Sequence, residues 1–237
     1  MRAMMRIHIL LATASIATGA AVPAGAADRN FGVSGFDRVR VDGPYKVRLI
    51  TGVAPFAIAS GSAAALDSVA IDVQGRTLIV RTNRSAWGGY PGEATGPVAI
   101  TIGTHDLGGA WLNGAGSLAI DKVRGLSFDL SVQGSGAASI GLAAVDQLKV
   151  SIAGTGSASV AGAAPKLTAI VRGVSSLDAS ALNVKDAIIG AQGPATVRAT
   201  VTNSAKVDAK GPAVVDLAGS PACTVTAAGS ATVSGCR

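Results

Sequence analysis

The chain is poor in bulky side chains and in reactive ones. Aromatic residues make up 3 % of 237 positions and charged residues 14 %. That supply excludes a broad globular core built on Phe, Tyr and Trp, whereas a narrow core of Ala, Val, Ile and Leu fits it. There are two histidines, His8 and His105, and two cysteines, Cys223 and Cys236. With His8 inside the leader described next, two Cys and one His do not make a tetrahedral zinc set. His105 stands beside Asp106, but neighbours in sequence rarely form the side-chain pair that Ser-His-Asp catalysis needs. No catalytic residue, metal site or cofactor is therefore expected. No glycine-rich loop opens a helix, so no phosphate cradle is indicated. Basic residues are dispersed and not interleaved with aromatics, which gives no footprint for nucleic acid.

Residues 1–26 read as a secretory signal peptide. Arg2 and Arg6 form a positive start, residues 7–21 are mostly apolar, and Ala24-Gly25-Ala26 supplies small residues for cleavage. The apolar run is shorter than the ~20 residues a membrane span requires, and no later segment is long enough to be a transmembrane one. Losing Arg2 and Arg6 lowers the net charge from +6 to +4. In an oxidising compartment Cys223 and Cys236 are expected to form a disulfide that closes the C-terminal end. The alternative is a core Cys223 and a free Cys236.

What is abundant is glycine, 31 residues, and apolar side chains, 49 %. Both fall into register. Gly114, Gly134, Gly154, Gly173, Gly193, Gly211 and Gly229 are spaced by 20, 20, 19, 20, 18 and 18 residues. Such a period marks a solenoid, one coil per repeat. The positions six, four and two before each glycine are apolar, from Phe128, Leu130 and Val132 to Cys223, Val225 and Ala227. The intervening positions are mostly polar or small. Period two with one buried face means strand, not helix. A second strand follows each corner, with inward pairs such as Leu118 and Ile120 or Val197 and Ala199. The fold class is all-β: a single-chain parallel β-solenoid with coils of 18–20 residues. Its domain spans 31–236, regular over 104–236 and less regular over 36–103.

In the less regular part, Gly43-Pro44 followed by Val47 and Arg48 matches Gly193-Pro194 followed by Val197 and Arg198 at the same offsets. That stretch starts on the same coil unit. Residues 55–60, 66–73 and 77–82 read as strands. Residues 83–96 break the pattern and read as a loop. It carries Trp87 and Tyr90, scarce residue types here, and these two are the candidate ligand-binding residues. The other reading folds them down as a lid on the coil. Trp111, at the entry to the first regular repeat, is read as packing. Outward Asp178, Arg198 and Asp216 fall in a ladder of alternating charge across successive coils, and Asp129 falls beside Lys149. Exposed cross-strand ion pairs explain both.

Phe36-Asp37-Arg38-Val39-Arg40-Val41-Asp42-Gly43-Pro44-Tyr45-Lys46-Val47, then Leu78-Ile79-Val80-Arg81-Thr82, then the corners Gly134-Ser135-Gly136 and Gly154-Thr155-Gly156 resemble the putative auto-transporter adhesin, head GIN domain family. The likeness runs over residues 31–236. It implies an exported bacterial protein of stacked β-coils with no established enzyme activity. Family corners often carry an acid where Ala137 and Ser157 stand here, so any role of that acid is not carried over. The expected function is a non-enzymatic, adhesin-like interaction module for a glycan or an envelope or surface protein. Its expected location is the periplasm, cell surface or exterior of a Gram-negative bacterium. Two alternatives stand beside it: a carbohydrate-active enzyme, which needs a groove with two carboxylates within about 10 Å, and an envelope stacking unit that self-associates through its coil ends.

Overall fold

The computed structural model describes residues 27–83 and 96–237. The leader expected at 1–26, and Trp87 and Tyr90, lie outside them. The strands are β1 (Ala27–Phe31), β2 (Arg38–Asp42), β3 (Lys46–Thr51), β4 (Phe56–Gly61), β5 (Val69–Gln74), β6 (Thr77–Thr82), β7 (Ala99–Thr104), β8 (Gly109–Gly114) and β9 (Ser117–Gly134). They continue with β10 (Ala137–Gly154), β11 (Ser157–Ala163), β12 (Lys166–Gly173), β13 (Ser176–Gln192), β14 (Thr196–Lys210), β15 (Val214–Ala218), β16 (Ala222–Ala228) and β17 (Thr232–Ser234). One short helix, α1 (Ala63–Asp67), lies between β4 and β5. All these strands join one sheet wound into a β-solenoid.

Alternation does the winding. Along β9 the side chains of Leu118, Ile120, Val123, Phe128, Leu130 and Val132 are buried, with exposed ones between them. The same places are buried in β10, where Leu148, Val150 and Ile152 stack in register on Phe128, Leu130 and Val132. Each coil thus has a wide face, here residues 127–134, a narrow face, here 117–120, and an edge joining them. The core is a column of medium and small aliphatics, the shape this composition can fill.

The corner glycines are required twice over. Gly134 and Gly154 hold φ of 106° and 111°, a region L side chains avoid. Each also touches the glycine beneath: a Cβ on Gly154 would lie 2.6 Å from the carbonyl oxygen of Gly134.

At the N-terminal end the chain departs from simple stacking. The coil made by β2 and β3 does not stand first. It lies between the coil of β6 and β7 and the coil of β8 and β9, parallel to both. Beyond it β5 runs antiparallel to β6, β4 antiparallel to β7, and β1 antiparallel to β4. An antiparallel layer therefore covers this end. The strand expected over 66–73 begins only at Val69. Residues 63–67 make one helical turn because Ser62 caps it, accepting a bond from Ala65 N at 3.2 Å, and because three alanines follow.

At the other end β16 and β17 each pair on one side only. The expected interior set Cys223, Val225 and Ala227 is corrected here. Cys223 is half-buried, Val225 is 43 % exposed and Ala227 is exposed. Among the described residues no coil stacks over them, so alternation alone does not bury them. The Cys223–Cys236 disulfide is formed, with Cα atoms 5.6 Å apart. It ties the last coil together without covering the core.

Candidate functional site

The wide face carries the three grooves described below. It is the outer side of the column β5, β6, β2, β8, β9, β10, β12, β13, β14 and β16. Every second residue of each strand points out from it. One row across the middle reads Ile79, Arg40, Trp111, Ser131, Ser151 and Ile170. Adjacent members stand about 4.8 Å apart.

Trp111 is on this outer face, between buried Ala110 and Leu112. Trp111 is half-buried, and the packing expected of it is present, made on the outer side of the strand against Gly109 and not in the core. Its six-membered ring lies over Gly109, where a Cβ would come within 2.8 Å of Cη2. Gly109 is buried under it. Arg38 is the register partner of Gly109 on one side and Asp129 on the other. The indole is thus flanked by a cation and an anion. Asp129 is engaged by Lys149 at 4.0 Å. Arg40 Nε donates to Asp42 at 3.0 Å, and Asn113 Nδ2 donates to the same oxygen at 2.6 Å. These two bonds fix Asp42 and spread the carboxylate's charge.

Trp111 separates two grooves on the wide face. The larger, about 700 Å³, is lined by Arg38, Arg40, Asp42, Thr77, Asn113 and Gln133 among others. The smaller, about 350 Å³, has Ser131 and Ser151 as its floor and Trp111 and Ile170 as walls. The walls stand roughly 14 Å apart, three strand spacings. A third groove of about 470 Å³ lies further along, between Lys149, Lys166, Asp186, Ile188 and Lys206. Each of the three is lined by one carboxylate, Asp42, Asp129 or Asp186, and not by the pair that acid–base hydrolysis requires. Asp186 is held below the usual carboxylate range, first by the Ser204 hydroxyl at 2.6 Å and then by the Asn203 amide at 2.7 Å, with lesser help from Lys166 and Lys185.

The narrow face is smoother. Ser117, Ala137, Ser157 and Ser176 follow in register, beside Ala119, Ser139, Ser159 and Asp178. The expected charge ladder is present: Asp178, Arg198 and Asp216 are register partners, and Arg198 Nε lies 3.9 Å from Asp216 Oδ2. Asp178 also accepts from Ser180 N and Oγ, which holds its carboxyl below the usual range. The expected Lys149–Asp129 neighbourhood is the 4.0 Å pair above. His105 and Asp106 border a small pocket of about 130 Å³ with Thr51, Lys122 and Arg124, and Asp106 is its one carboxylate. Among the described residues no group of three His, Cys, Asp or Glu could hold a metal. Nor is any helix among them long and apolar enough to cross a membrane.

Similarity to known proteins agrees with this architecture. A putative adhesin from Bacteroides fragilis shares the fold with a TM-score of 0.76 at 18 % identity, over 88 % of this chain and 95 % of that one. A putative lipid binding protein from Parabacteroides distasonis aligns with a TM-score of 0.69 at 18 % identity, over 89 % and 96 %. A putative adhesin from Parabacteroides merdae aligns with a TM-score of 0.65 at 17 % identity, over 89 % and 96 %. At such identities the likeness speaks for the fold. No curated protein matches the chain. The family described as putative auto-transporter adhesin, head GIN domain, matches residues 35–221. The coil corners, the wide face and this match lead to one conclusion: the chain belongs to the putative auto-transporter adhesin, head GIN domain family.

Proposed function

We propose that the chain is an exported, adhesin-like contact module that binds a glycan on the outer side of its solenoid and does no chemistry on it. The observation that carries this reading is the wide face. It offers shallow grooves with hydroxyl, amide and guanidinium groups, one indole, and a single carboxylate in each groove. Stacked coils hold these groups rigidly in rows, so many weak contacts add without a large ordering cost. The adhesin names of the family and of the structural relatives support the same reading. The disulfide supports residence in an oxidising compartment, the periplasm or the cell surface of a Gram-negative bacterium. Trp87 and Tyr90 are proposed as additional contacts, because they are scarce residue types in this sequence and follow closely in the chain on β6, a strand of the wide face.

A glycan-array screen of the purified protein tests this, alongside a variant carrying Trp87→Ala and Tyr90→Ala. Saturable binding is expected, weaker in the variant. Absence of binding to every glycan would overturn the glycan reading and favour a surface protein as partner. A second reading is favoured by the coil of β16 and β17, where Val225 is exposed and each strand pairs on one side only among the described residues. There the module self-associates as a unit of an envelope assembly. Concentration-dependent oligomers in analytical ultracentrifugation would support it, and a monomer at all concentrations would remove it.

A further inference from the structure

The geometry points to a specific subsite: Trp111 and Arg38 bind a saccharide that carries an anionic substituent, a carboxylate or a sulfate. The inference rests on the glycan reading above and names the place and the ligand class within it.

Three observations converge. First, Trp111 is held outward on a rigid strand, with its ring seated on Gly109. An indole so placed offers an apolar platform for the C–H face of a sugar ring. Grooves open on both sides of it, so a chain of sugars running across the strands has room before and after the ring. Second, polar groups surround the platform without crowding it. Asn113 and Gln133 line the larger groove, and Ser131 and Ser151 floor the smaller one. Amides and hydroxyls both donate and accept, which suits sugar hydroxyls. Third, the charges do not cancel. Asp129 is matched by Lys149, and Asp42 by Arg40 and Asn113. Arg38 is exposed, forms no ion pair among the described residues, and stands beside the residue on which the indole rests. Its planar fork is suited to a carboxylate or a sulfate. A neutral saccharide would use the platform and leave this guanidinium unmatched.

The test is isothermal titration of the purified protein with three defined probes: hexagalacturonate, a heparin hexasaccharide and neutral cellohexaose. The first two carry the carboxylate and the sulfate forms of the anion. Saturable binding of at least one anionic probe is expected, at least tenfold tighter than cellohexaose. Trp111→Ala and Arg38→Gln should each weaken it at least tenfold, and raising salt from 0.05 to 0.5 M should weaken it further. Both side chains are on the outer face, and an unchanged melting temperature of each variant confirms that the fold is intact. The inference is overturned if neither anionic probe binds, if cellohexaose binds as tightly, or if both variants bind like the parent. Failure of this subsite is separable from failure of the glycan reading. Array binding that survives Trp111→Ala leaves the module a glycan binder and removes this site, whereas an empty array removes both.

Discussion

A glycine series tests whether the corners hold the solenoid together by close stacking. Gly154 combines φ of 111° with a would-be Cβ contact of 2.6 Å to the Gly134 carbonyl oxygen. Gly75 has φ of 60° and nothing within 4 Å. Gly141 has no positive φ, but a Cβ there would stand 2.8 Å from the Asp121 carbonyl oxygen. Gly190 has neither problem, its nearest neighbour being 4.0 Å away. A non-glycine residue at positive φ costs on the order of 1–3 kcal/mol, least near the left-handed minimum occupied by Gly75. Overpacking against a backbone that cannot swing aside costs about 1–3 kcal/mol more. Gly154→Ala should therefore destabilise by roughly 2–6 kcal/mol, Gly141→Ala by about 1–3 and Gly75→Ala by about 1. Gly190→Ala should be neutral or stabilise by about 0.5 kcal/mol, because glycine weakens a strand interior. At about 2–4 °C per kcal/mol for a chain of this size, Gly154→Ala should lower the melting temperature by roughly 4–24 °C. Thermal unfolding followed by circular dichroism reads all four. If Gly154→Ala costs no more than Gly75→Ala, close stacking is not what the corner glycine is for.

Further outcomes follow from the core, the open end and the acids. Phe128 is the largest fully buried side chain, and Phe128→Ala should cost about 3–5 kcal/mol in urea unfolding. Reducing Cys223–Cys236, which closes a 13-residue separation, should remove about 3 kcal/mol locally. Because coils contact only their neighbours, hydrogen exchange should rise in β16 and β17 and stay slow in β9 to β13. Loss of protection throughout would contradict that. Asp178 and Asp186 have carboxyls lowered from an ordinary 3.8, so between those lowered values and 3.8 the folded chain binds fewer protons than the unfolded one. Their stabilisation is complete above that range and is lost as pH falls through the lowered values. Melting temperatures from pH 5 to pH 2 should fall less steeply in a variant carrying Asp178→Asn and Asp186→Asn than in the parent.

Much of the site was within reach of the alternation rule. Ala110 and Leu112 occupy the inward places before Gly114, so Trp111 between them had to face out. Its partners were not within reach. Arg38 and Arg40 lie about 70 residues earlier, in a part of the chain whose repeat is broken. Only knowledge that β2 lies beside β8 brings them to the indole. Asp129 and Lys149 are one coil apart, and for them the period was enough.

The same division holds for the whole molecule. The sequence by itself determined the coil, because period two and a fixed spacing of glycines state locally which side chains go in and where the chain turns. It also determined the ion-pair ladders, since residues one coil apart must stack. The tertiary structure alone decided the order of the N-terminal coils, the antiparallel layer that covers them and the exposure of Val225 in the last coil. Those features depend on which strand finds which edge and on what lies beyond the final repeat. A local pattern repeats identically whether or not another coil stacks on it, so it carries no information about its own ends.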